Sequence, residues 1–210
     1  MNEDRGSDNT RRITSSDDLE VSAYLEIAQE KAGNGPASES DMSPQREAII
    51  IIDFGSQYSR LIARRVRESK VYCEIISHKT EWSDVQDLNP KGIILSGGPA
   101  SVYDENSPLA PLWVFESGLP VLGICYGMQV LVHQLGGKVA PSTKKEYGHA
   151  VLHQNTPNKS IFTNLPQSLP VWMSHADKVT ELPLGFVSMA HTDNSPIAVI
   201  GNDKGVLGIQ

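Results

Sequence analysis

At Ala48 the chain passes from scattered polar residues into Ala-Ile-Ile-Ile-Ile, and from there to Leu135 apolar runs alternate with helical repeats. A run of consecutive apolar residues marks a strand buried on both faces, which predicts parallel strands at Ala48–Asp53, Val71–Ile76, Gly92–Ser96 and Val121–Ile124. Tyr58, Leu61, Ile62 and Val66 recur at the spacing of one helix face, with Arg60, Arg64, Arg65 and Arg67 assigned to the solvated side. A shorter helical stretch falls at Leu112–Glu116, and a longer one runs through Met128, Leu131, Val132 and Leu135. This alternation predicts a doubly wound α/β fold on a mainly parallel sheet. Past Gly136-Gly137 the spacing changes. Extra short strands are predicted in this second half at Val151–His153, Val171–Met173, Phe186–Ala190, Ile197–Ile200 and Val206–Ile209, separated by turn residues. No repeat of fixed period appears, which argues against a solenoid or propeller.

The first 46 residues are a different material, with ten Asp/Glu against five Lys/Arg and hardly any large apolar side chains. Such a segment buries too little surface to offset its ordering entropy, so 1–46 is expected to be a disordered extension. One stretch departs from this: Asp17 as a cap, Glu20 three positions on, then Val21, Tyr24, Leu25 and Ala28 predict a short amphipathic helix over 17–31. The expected domain is 47–210. The formal net charge is −7 with a pI near 5.3, and no basic stripe offers the phosphate neutralisation that general nucleic-acid binding needs. No apolar run approaches the roughly 20 residues that span a bilayer. Two cysteines, far apart, and no signal-like apolar start point to the cytoplasm rather than to a disulfide-stapled secreted protein.

Candidate chemistry concentrates at Gly123-Ile124-Cys125-Tyr126-Gly127-Met128-Gln129. A strand running straight into a helix, with glycines two residues before and two after a cysteine, has the layout of a nucleophile elbow. Helix amides and the helix dipole are expected to lower the Cys125 thiol below its ordinary pKa of about 8.5. Cys73 lies in a strand pattern without glycines and reads as core. One strand earlier, Ser96-Gly97-Gly98-Pro99 can turn a bare amide toward an oxyanion, with the amide of Tyr126 as the second donor. His149 and His153 stand four apart without a carboxylate or cysteine cluster, so no metal site is expected.

Gly-Ile-Cys-Tyr-Gly-Met-Gln at 123–129, Ser-Gly-Gly-Pro at 96–99, Asp-Phe-Gly-Ser-Gln-Tyr at 53–58, Glu-Asn-Ser-Pro at 105–108 and Trp-Met-Ser-His-Ala-Asp-Lys-Val at 172–179 resemble a class I glutamine amidotransferase. Within that family they look like the amidotransferase domain of GMP synthetases, over about residues 48–210, with the first 46 unmatched. The resemblance implies a flavodoxin-like fold and Cys125 as the thiol that forms a glutamyl thioester and frees ammonia. It implies Gly98 and Tyr126 as oxyanion-hole donors, and Gln129, Ser174 and Asp177 as the groups holding the backbone end of glutamine. Ala176 stands where the family usually has glycine, which adds a methyl beside the substrate. The family's catalytic histidine and glutamate follow a Gly-hydrophobic-Gln strand such as Gly208-Ile209-Gln210, so the domain is expected to be incomplete at its C-terminus and inactive alone. His175 is the one histidine present that is worth testing as a base, and it is expected not to be one.

No cofactor is expected in this domain. The resemblance implies a partner synthetase domain, in cis or in trans, that uses ATP and magnesium to aminate XMP to GMP, in an enzyme that is a homodimer. Two other readings stand beside it: a non-catalytic glutamine-binding or regulatory module, and an amidotransferase subunit of another pathway such as anthranilate synthesis.

Overall fold

The computed structural model describes residues 47–155 and 161–210, so the helix expected over 17–31 lies outside the described residues. The elements are β1 (Ala48–Asp53), α1 (Ser59–Glu68), β2 (Tyr72–Ser77), β3 (Pro90–Leu95), the single turn α2 (Trp113–Glu116), β4 (Val121–Ile124), α3 (Tyr126–Gln134), β5 (Lys138–Gln154), β6 (Ser168–Glu181), β7 (Val187–His191), β8 (Val199–Gly201) and β9 (Val206–Ile209). Among the described residues they build one sheet in the order β2-β1-β3-β4-β9-β8-β7-β5-β6. From β2 to β9 every pairing is parallel, and from β9 to β6 every pairing is antiparallel. The parallel half has the flavodoxin-like order 2-1-3-4-5, which reverses between β1 and β3 and so opens a crevice at the carboxyl ends of those strands.

The apolar runs end up where consecutive burial requires them. Ile50, Ile51 and Ile52 of β1 are all fully buried, with Ile50 and Ile52 packing beside Leu95, Met128 and Val130 while Ile51 faces Ala63 and Cys73 on the opposite side. Cys73 is sealed in this second layer, within 3.5 Å of the Ala63 carbonyl, as its strand pattern predicts. In α1 the buried line is Ser59 and Ala63, with Ile62 and Val66 alongside, while Tyr58 and Leu61 are exposed. The expectation for those two fails because small residues carry the contact, which lets the helix lie close to the sheet. Arg64 and Arg65 pair with Glu68 at the surface.

The second half differs more from its expected short strands. β5 and β6 run for 17 and 14 residues and pair from Lys138 opposite Glu181 to His153 opposite Ser168. Polar residues hide the strand period in β5, and the pairing is broken between Pro141 and Glu146, where β5 has more residues than the two steps from Asp177 to His175. Proline has no amide to give the ladder, so a register break there is the usual accommodation. Pairing resumes with Glu146 opposite His175, which brings a carboxylate to the middle of β6.

Candidate active site

Cys125 sits between β4 and α3 with φ 51° and ψ −109°, a backbone that L-residues rarely adopt. The flanking glycines are required by close approach. A Cβ at Gly127 would stand 2.3 Å from the Leu95 carbonyl oxygen, and one at Gly123 would stand 2.7 Å from the Gly127 carbonyl oxygen. The turn is therefore as tight as the Gly-x-Cys-x-Gly spacing predicts, and it lifts the thiol to the carboxyl edge of the sheet. Gly98 is packed in the same way, since its Cβ would meet the Phe54 carbonyl and the Tyr126 ring at 3.0 Å. The Asp53-Phe54-Gly55-Ser56 turn behind it is held by Asp53, which accepts from the amides of Gly55 and Ser56 and from the Ser59 hydroxyl.

All six candidate residues, Gly98, Cys125, Tyr126, Gln129, Ser174 and Asp177, line one cavity of about 230 Å³. Ser101, Tyr147, His175 and Ala176 complete most of its wall. The alternation along β6 turns Asp177 inward, where it is buried, and leaves the Ser174 side chain exposed. Both carboxylate oxygens and the main-chain carbonyl of Asp177 are held. Ser101 donates to Oδ2 at 2.5 Å and Tyr103 to Oδ1 at 2.6 Å, while Gln129 Nε2 and His175 Nδ1 donate to its main-chain carbonyl at 3.4 and 3.0 Å.

His175 is committed elsewhere. A carbonyl can only accept, so Nδ1 carries a proton, and Nε2 is taken by Glu146 at 3.1 Å. Glu146 in turn accepts from Thr192, whose hydroxyl also takes the Ser195 amide. Sequence reasoning missed Ser101, Tyr103 and Glu146, since nothing local marks partners that lie 76, 74 and 29 residues from the groups they bind. It also missed Gln210 as a neighbour of the nucleophile, whose Nε2 lies 4.0 Å from Cys125 Sγ.

The thiol's electrostatics correct one expectation. Burial pushes Cys125 up from the ordinary thiol value; the Tyr126 amide pulls it back, and the Asp177 charge adds to the upward push. Helix amides do act, but they are outweighed by lost water. Iodoacetamide should therefore alkylate Cys125 with a rate that climbs with pH through a midpoint above about 8.5. In Asp177→Asn that midpoint should fall, because a nearby anion that disfavours thiolate is gone. Mass-spectrometric rate profiles check this, and a wild-type midpoint below the ordinary value would contradict it.

The family model described as glutamine amidotransferase class-I matches residues 50–210. The chain belongs to the class I glutamine amidotransferases. It is 54% identical over 187 residues to a GMP synthase [glutamine-hydrolyzing] of Dehalococcoides mccartyi, a match covering 89% of this chain and 35% of that protein. The GMP synthase of Thermomicrobium roseum is 53% identical over 168 residues, covering 80% of this chain and 32% of its own length. This amidotransferase chain thus spans about a third of the relatives it matches. The 187 matched residues exceed the stretch from Glu47 to Gln210, so part of the segment ahead of β1 has a counterpart in the first relative, contrary to the expectation that all 46 residues are unmatched. The crystal structure of a Thermoplasma acidophilum protein, provisionally assigned as one subunit of a GMP synthase, superposes with TM-score 0.71 at 25% identity, covering 79% of this chain and 83% of that one.

Proposed function

We propose that this domain is the glutamine-hydrolysing part of a GMP synthase, with Cys125 as its nucleophile. Cys125 Sγ, as thiolate, attacks the side-chain carbonyl carbon of glutamine, and the carbonyl electron pair moves onto oxygen, where the amides of Gly98 and Tyr126 receive it. Collapse expels the amide nitrogen, which takes up a proton and leaves as ammonia. Water then cleaves the thioester to glutamate. Asp177 accepts the α-ammonium, and Gln129 and Ser174 orient the α-carboxylate end. Ammonia passes to a synthetase domain, in cis or in trans, that uses ATP and magnesium to aminate XMP to GMP, within a cytoplasmic homodimer. Among the described residues no group of three or more metal-ligating side chains comes together, and Gly97 and Gly98 of Ser96-Gly97-Gly98-Pro99 pack against Cys125 and Tyr126 of the elbow.

The observation that carries the reading is the convergence of the six candidate residues, from three separate chain segments, on one cavity around a cysteine with a strained, positive-φ backbone. Calorimetry on Cys125→Ala tests it: L-glutamine should bind, and adding Asp177→Asn should weaken that binding at least about thirtyfold, the cost of breaking a buried charge pair. Glutaramic acid, which lacks the α-amino group, should bind both forms equally poorly. Equal L-glutamine affinity with and without Asp177→Asn would count against the assignment.

A further inference from the structure

We propose that Ser101 and Tyr103 are positioning residues that set the α-amino end of glutamine through Asp177, so that the single loop 97–110 fixes both ends of the substrate. The inference rests on the reading of Asp177 as the ammonium acceptor. Each oxygen of a carboxylate can accept two hydrogen bonds. Ser101 uses one position on Oδ2 and Tyr103 one on Oδ1, which leaves one on each oxygen for a ligand and pins the carboxylate plane. Without those donors a buried carboxylate is free to turn toward other partners, and the ammonium loses a fixed target.

The loop that carries these hydroxyls is itself braced. Tyr126 OH donates to the Pro108 carbonyl at 2.8 Å, and Ser107 Oγ donates to the Val102 carbonyl at 3.2 Å. The Gln134 side chain accepts from the Ala110 amide and donates to the Ala110 carbonyl, both at 2.9 Å. Two of these braces come from α3, the helix that begins directly after the nucleophile. At its other end the same loop supplies Gly98, wedged between Phe54 and Tyr126. The distance from the oxyanion donors to the ammonium acceptor is therefore set by one segment tied to the nucleophile's own helix.

The test uses the chloroketone analogue of glutamine, in which the amide nitrogen is replaced by CH2Cl, on the 210-residue chain. Sulfur displaces chloride directly, so labelling needs no acid to protonate a leaving nitrogen, and its concentration dependence separates the binding constant KI from the limiting rate kinact. Tyr103→Phe and, as a second variant, Ser101→Ala should each raise KI roughly three- to tenfold, the loss of one hydrogen bond to a charged group. The limiting rate and the alkylation of Cys125 by iodoacetamide, which has no α-amino group, should hold. In an Asp177→Asn background the same substitutions should change KI by less than about twofold, because the group they act through is gone. Unchanged KI in both single variants, with Asp177→Asn still raising it, would overturn this inference and leave Asp177 as the acceptor. Unchanged KI in Asp177→Asn as well would overturn both. Full effects persisting in the Asp177→Asn background, or iodoacetamide reactivity falling by the same factor as KI rises, would also overturn it.

Discussion

Glutamine hydrolysis by the 210-residue chain is expected to run about a hundred- to ten-thousandfold slower than by the Dehalococcoides mccartyi GMP synthase assayed beside it, and to be accelerated by added imidazole. General acid–base catalysis contributes about that range. The thiol must lose a proton, the departing nitrogen must gain one, and the water that cleaves the thioester must lose one. All six histidines are among the described residues, and only His175 lines the cavity. Its ring is fixed between the Asp177 carbonyl and Glu146, so neither nitrogen faces the sulfur. Among the described residues the polar groups at Cys125 Sγ include the Tyr126 amide, the Ser174 carbonyl at 3.8 Å and Gln210 Nε2 at 4.0 Å, and none of these is a base at neutral pH. Small imidazole, free to enter the cavity, should restore part of the rate. Turnover equal to that of the relative, insensitive to imidazole, would mean that His175 leaves its partners and serves as the base.

What the sequence shows of this fold divides along physical lines. The parallel strands were legible because burial on both faces leaves an uninterrupted run such as Ile49–Ile52, which no exposed segment needs. The elbow was legible because two glycines report steric contacts of 2.3 and 2.7 Å that nothing larger survives. The long β5 was not, since its polar middle and the register break after Pro141 erase the period that marks a strand. Tyr58 and Leu61 misled because periodicity reports a face and not how closely it approaches its neighbour. Asp177 could be placed in the site from its motif, but its clamp could not: Ser101, Tyr103 and Glu146 meet β6 only through the folded topology. The direction of the Cys125 shift failed for the same reason. A helix N-terminus is visible in the chain, whereas burial and the Asp177 charge arrive from elsewhere.

Modification at Cys125 rather than Cys73 is the second large effect expected. Cys73, on β2, is fully buried beneath α1 and reacts only when that layer opens, whereas Cys125 is partly exposed at a cavity. Protection of this kind should give Cys125 at least about a hundredfold advantage in labelling rate. The advantage should grow with a reagent that carries the α-amino acid group, because Asp177 and the oxyanion amides then hold the electrophile beside the sulfur. Excess glutamine should slow that reagent and leave iodoacetamide at Cys73 untouched. The most direct measurement is peptide mapping by mass spectrometry after treatment with the glutamine chloroketone. A single adduct on Cys125, absent from Cys125→Ala, is the predicted result; an adduct on Cys73, or labelling that persists in Cys125→Ala, would contradict the assignment of the nucleophile.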